Sequence, residues 1–181
     1  MSEHFSDALS GIQRFQLLPW ELIPDLGLYM DQVVTLIVRT FEPLYGEETK
    51  RLLSAPMINN YVKAGLLPRS RGKKYSREQI ALLSIIVVLK QVCSMEEIRR
   101  MLALKEGETV EALYGAFRER CGEVIRDLRP GSADAAAGLS PALEFAILAS
   151  GYHAGCVAAL QAAEADAAAV AQASADKKQG N

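Results

Sequence analysis

At 181 residues, half of them hydrophobic, the chain is long enough for one good-sized core or two small ones and too apolar to be a wholly disordered tail. Its formal net charge of −2 selects no partner, but the charge lies in blocks: residues 1–55 carry 4 basic and 8 acidic side chains, residues 56–105 carry 10 and 3, and residues 106–181 carry 6 and 11. A basic middle between acidic flanks points to a polyanion-binding module in an otherwise ordinary soluble chain, and it excludes neither a second core nor a partner for the flanks.

The N-terminus, MSEHFSDALSG, has neither the charged n-region nor the apolar h-region of an export signal, so a cytoplasmic protein is expected. Residues 1–28 read as an irregular lead-in, because Pro19 and Pro24 each remove a backbone donor and restrict the residue before them. Met30, Val33, Val34, Ile37, Val38 and Phe41 then recur at the spacing of one helix face. Pro43 to Lys50 reads as a loop or frayed turn, and Ser54 as the N-cap of a short helix over 55–64 that ends by Gly65. Ile58, Tyr61 and Val62 form the inner stripe of that helix and Pro56, Asn59, Asn60 and Lys63 the outer one. Ser76-x-x-Gln79 and Ser94-x-x-Glu97 are capping boxes that open two further helices meeting at a corner near Cys93, the first of them apolar on most sides and so expected in the middle of a bundle. Beyond Gly107, Val110, Leu113, Tyr114, Phe117, Cys121, Val124 and Leu128 recur as an a/d seam of about three heptads, the expected dimerisation surface. Ser140 and Pro141 open an alanine-rich helix that is expected to pack against it, and residues 176–181 read as a disordered tail. Phe145 to Ala163 carries no charge over 19 residues, but its alanine content and lack of interface anchors favour a soluble helix over a membrane span.

The stretch MINNYVKAGLLPRSRGKKYS, Met57 to Ser76, is where chemistry is expected. A short helix with an amide-rich face followed by a cationic loop suits both kinds of contact that duplex DNA offers. Asparagine pairs bidentately with adenine in the major groove, and Lys and Arg neutralise phosphates. Asn59, Asn60 and Lys63 would read; Arg69, Arg71, Lys73, Lys74 and Arg77 would hold; Tyr61 would offer a hydroxyl to a phosphate, with Tyr75 closing the loop.

Those residues, with the Gly-Leu-Leu corner, the basic turn closing on Tyr75 and the Ser94-Met95-Glu96-Glu97-Ile98 cap, resemble the winged helix-turn-helix of MerR-type transcription regulators over residues 54–104. Leu18-Pro19, Ile23-Pro24-Asp25, Leu28-Tyr29-Met30-Asp31-Gln32-Val33 and Met57-Ile58-Asn59-Asn60-Tyr61-Val62-Lys63 together resemble the bacterial domain-of-unknown-function family 1836 over most of 17–128. The resemblance implies an all-α fold with a minimal β wing: a MerR-like domain over 29–105, with recognition helix 55–64 and wing 69–77, and a C-terminal helical dimerisation or accessory region over 106–175. It implies a homodimer on double-stranded DNA, with any small-molecule effector left open. A protein-interaction module on the same scaffold, no longer binding DNA, is the alternative. No cofactor or metal is expected: Cys121 and Cys156 are 35 residues apart with His153 a turn before Cys156, and no close cysteine pair accompanies them. No catalytic motif stands out, so an enzyme is not expected.

Overall fold

The capping boxes at Ser76 and Ser94 both form, and the molecule is organised around the helices that they open. The computed structural model describes residues 3–104, 106–129 and 140–179. In chain order its elements are α1 Glu3–Gln13, β1 Leu28–Tyr29, α2 Met30–Tyr45, α3 Ala55–Lys63, β2 Lys74–Tyr75, α4 Arg77–Leu89, α5 Met95–Met101, α6 Val110–Arg126 and α7 Pro141–Gln179. Among the described residues the fold is mostly helical, with one two-stranded antiparallel ribbon in which Leu28 pairs with Tyr75 and Tyr29 with Lys74.

Every residue of α4 from Gln79 to Val87 is buried, as expected for a helix apolar on most sides. Around it pack Val33, Ile37 and Phe41 from α2, Ile58 and Tyr61 from α3, Ile98 from α5 and Tyr114 from α6. Ser76 Oγ accepts from the Gln79 N–H at 3.4 Å while Gln79 Oε1 accepts from the Ser76 N–H at 2.9 Å. The Ser94 and Glu97 pair does the same at 3.2 and 2.7 Å. Each arrangement satisfies two amide groups that a helix start leaves without partners.

Several expectations need correction. The lead-in opens in a helix, α1, which buries Leu9 and leads into the buried Phe15. Pro43 does not end α2, which runs on to Tyr45. Its ring lies in the last turn, where the single lost hydrogen bond is outweighed by burial of Phe41, whose ring meets Phe15 at 5.4 Å and Tyr45 at 6.3 Å. Ser54 is the N-cap of α3 by position, but its side chain makes no cap hydrogen bond. Residues 176–179 continue α7; the rest of the expected tail lies outside the described residues.

The seam expected to dimerise is largely spent inside the chain. The Tyr114 hydroxyl donates to the Leu18 carbonyl at 2.8 Å and its ring lies 6.1 Å from that of Trp20, while Arg118 Nε donates to the Leu17 carbonyl at 2.9 Å. Val110, Leu113, Phe117 and Cys121 pack half-buried on the core. Leu128 falls beyond the end of α6, where its carbonyl accepts from Gln13 Nε2 at 2.8 Å; of the seam, only Val124 is substantially open, at 48% exposure. Heptad spacing marks a buried face without saying whose surface buries it.

The 39-residue α7 meets the rest of the chain along α5, with an Arg100–Glu164 ion pair at 2.6 Å. Its stretch Phe145–Gln172 is long and apolar enough, by length and composition, to cross a membrane, with a mean hydropathy of 1.3. The Glu164 partner of Arg100 lies within that stretch.

Candidate nucleic-acid interface

Two backbone devices fix α3 and the loop after it. Gly65, at φ +72°, ends α3: its N–H donates to Val62 and the Leu66 N–H to the Tyr61 carbonyl at 2.9 Å, the pair of bonds that closes a helix through a left-handed residue. Leu66 and Leu67 then turn into the core. With Ile58 and Tyr61 also facing inward, Pro56, Asn59, Asn60 and Lys63 are left on the exposed face, as the periodicity requires.

The basic loop is a tight hairpin. Gly72 and Lys73 both have positive φ, +57° and +62°, and the Lys74 N–H donates to the Arg71 carbonyl at 3.1 Å, the pattern of a two-residue I′ turn. The returning strand β2 pairs with β1, which precedes α2, so the loop is tied to a segment more than forty residues earlier. Gly27 suits that pairing: its φ is +69°, which L side chains rarely adopt, and an added Cβ would lie 3.3 Å from Lys74 Cβ, a tight contact. At the base of the loop, Gln79 makes its second set of contacts. While its oxygen holds the Ser76 N–H, its Nε2 donates to the Pro68 carbonyl at 2.7 Å, so one buried side chain closes both ends of the loop.

The structure brings α3 and the loop together in an open cleft of about 390 Å³ lined by Tyr29, Met30, Asp31, Asn59, Ser70, Lys73 and Tyr75. Asn59 and Lys73 thus share one concave surface. Asp31 and Ser70 belong to it as well and were not singled out in the sequence; Asp31 lies in the first turn of α2, where an acid reads only as a helix-start residue.

The other predicted contacts divide sharply. Asn60, Lys63, Arg69 and Arg71 are exposed, and Lys74 is exposed with its ammonium 5.4 Å from the centre of the Tyr29 ring. Tyr61 is not at the surface: it is 3% exposed, its hydroxyl is buried without a hydrogen-bond partner among the described residues, and burial raises its pKa. Tyr75 is likewise 3% exposed and offers the cleft only part of a wall. Arg77 does not extend the patch. Its Nε donates to the Ile23 carbonyl at 3.0 Å, its guanidinium lies 5.6 Å from the centre of the Trp20 ring, and it faces Asp25 at 3.7 Å. It anchors the lead-in to α4. Lys63, Arg69, Arg71 and Lys73 form no ion pair or side-chain hydrogen bond with any described residue.

Residues 18–117 match the protein family described as Domain of unknown function (DUF1836). The chain belongs to that family. The DUF1836 match starts at Leu18, whose carbonyl receives the Tyr114 hydroxyl, and ends three residues after Tyr114. The family unit is thus closed on itself by a hydrogen bond near its two ends, with the cleft, the ribbon and α2 to α5 inside it and α1 and α7 outside. Compared with curated proteins and with solved structures, this DUF1836 chain finds no match in either.

Proposed function

We propose that the protein is a MerR-like winged helix-turn-helix regulator that binds specific double-stranded DNA as a homodimer. The observation that carries the reading is that Asn59 of α3 and Lys73 of the loop line one cleft, while Asn60, Lys63, Arg69 and Arg71, the last three without ion-pair partners among the described residues, are exposed on the same helix and loop. In this reading α2 and α3 form the helix pair, α3 enters the major groove and the Arg71–Lys74 turn is the wing. Asn59 and Asn60 present donors and acceptors to base edges, and the cations take phosphates on either side. Asp31, at the cleft, can accept from a cytosine amino group but repels phosphate, which orients the backbone toward the loop.

Two-fold symmetry would present two such helices to a pseudo-palindromic site. With the α6 seam mostly buried, the second copy would meet surface that the chain leaves open, such as Val124 on α6 and Leu143, Ile147, Leu148 and Tyr152 on α7.

Selection from a random duplex library by the purified protein tests the reading, with affinity then measured by anisotropy and mass by sedimentation. Enrichment of an inverted-repeat sequence bound by a dimer is expected. A protein that retains no duplex even at about 50 mM salt, where phosphate contacts are strongest, refutes it and favours an interaction module on the same scaffold.

A further inference from the structure

Two segments distant in sequence meet at the corner between α4 and α5. Cys93 occupies the corner, 6% exposed, Glu97 lies in the first turn of α5, and His153 and Cys156 are one turn apart on α7. A sulfur of Cys93, a carboxylate oxygen of Glu97 and a ring nitrogen of His153 all lie within 4.8 Å of one another. Cys156, a turn along α7 from His153, stands outside that group of three, with its thiol donating to the Met101 sulfur at 3.8 Å. We propose that Cys93, Cys156, His153 and Glu97 bind a thiophilic divalent cation of the zinc class.

The spacings suit it. Cys93-x-x-x-Glu97 and His153-x-x-Cys156 each bring two donors to one side of the chain, and the two pairs face each other. Three donors are already gathered, and with Cys156 turned in from Met101 as the fourth, two sulfurs, an imidazole nitrogen and a carboxylate oxygen make up a four-coordinate set typical of zinc. In a tetrahedron with metal–nitrogen and metal–oxygen bonds of about 2.0 to 2.2 Å, those two donors stand about 3.4 Å apart. His153 Nε2 and Glu97 Oε1 are 3.4 Å apart.

Two further features orient the donors. Glu97 spends Oε2 on the Ser94 N–H, so the capping box fixes the carboxylate with Oε1 toward His153. His153 Nε2 is buried and faces Glu97 Oε1 at 3.4 Å without completing a hydrogen bond, a deficit that a bound cation between the two removes. No metal was expected from the sequence, where Cys121, Cys156 and His153 offered only a widely spaced set. Cys121 lies in a groove with Leu44, Tyr45 and Val88. On binding, each thiol yields its proton to solvent as its sulfur–metal bond forms, and the cation staples α7 to the family unit.

The test is independent of DNA binding. The reduced full-length protein is titrated with Co²⁺ and then Zn²⁺. One Co²⁺ per chain is expected, with thiolate charge-transfer and tetrahedral d–d bands that Zn²⁺ bleaches. Cys156→Ser and His153→Ala, on the more open α7, should each lower affinity by more than the about 10- to 100-fold that loss of an outer-shell partner costs, while Cys121→Ser binds as the parent does. Circular dichroism verifies that the variants keep their helices. A cobalt spectrum without thiolate bands, or parental affinity in folded Cys156→Ser and His153→Ala, overturns the proposal.

Discussion

Replacing Arg69, Arg71 and Lys73 together with glutamine separates phosphate-holding cations from structural ones. Each phosphate neutralised by a cation contributes about 0.9 to the slope of log affinity against log salt, so the four unpaired cations give a slope of about −3.6 per chain. Over a rise from about 50 to 200 mM salt that slope costs about 150-fold in affinity, and a dimer engaging both faces doubles the exponent. The triple variant keeps only Lys63, so its slope falls to about −0.9 per chain and its loss over the same range to about 3-fold. Arg77→Gln, by contrast, should leave the slope unchanged. It should instead destabilise the fold by about 1–3 kcal/mol, because it strands the Ile23 carbonyl and removes the stacking on Trp20. Anisotropy of a labelled duplex over a salt series reads the slopes, and urea unfolding reads the stability. If the slope falls by about one unit in Arg77→Gln, or stays put in the triple variant, the division of the basic residues drawn from the structure is wrong.

Asn59→Ala with Asn60→Ala should narrow the gap between a selected duplex and a random one by about 1–3 kcal/mol for each lost bidentate contact while hardly changing affinity for the random duplex, which competition titration measures. Burial pushes the Tyr114 phenol up to about 12, from 10.0 when unfolded. Its stabilising contribution is therefore complete below pH 10 and is lost as pH rises toward 12, about 3 kcal/mol in all; denaturant unfolding at stepped pH should show that loss, and Tyr114→Phe should reduce it, leaving the part due to Tyr45 and Tyr61, whose pKa values burial also raises. Gly27→Ala should cost about 1–2 kcal/mol from the left-handed backbone and more from the 3.3 Å contact with Lys74 Cβ. Gly72→Ala, with nothing within 4 Å of the added carbon, should show only the backbone cost, so comparing their melting temperatures isolates the contact.

Much of the frame was legible because it is local. Both capping boxes, the end of α3 at Gly65 and the exposed stripe of Asn59, Asn60 and Lys63 follow from three- and four-residue spacings. What sequence misread depends on partners brought from afar. Arg77 sits in a run of basic residues, yet its neighbours in space are Trp20, Ile23 and Asp25. Tyr114 and Phe117 keep heptad spacing whether they face a second copy or their own α4. Cys93 looked solitary because 60 residues separate it from His153, and only the return of α7 places them together. Pro43 is a different failure: a local helix-breaking rule lost to the burial of the aromatic residues beside it.

Gln79 carries a consequence for timescales. Its amide bridges Pro68 to Ser76 from a position in the buried first turns of α4, so neither end of the basic loop can part from the other unless that helix start comes undone. Opening of the loop base then carries a free energy drawn from the core, whereas motion of the Arg71–Lys74 tip costs only its own turn. The amide proton of Ser76 should exchange with solvent on the slow clock of α4 and those of Gly72 and Lys73 on a fast one. A surface loop held in this way meets a polyanion with most of its ordering entropy already lost during folding, leaving tip side chains alone to be fixed.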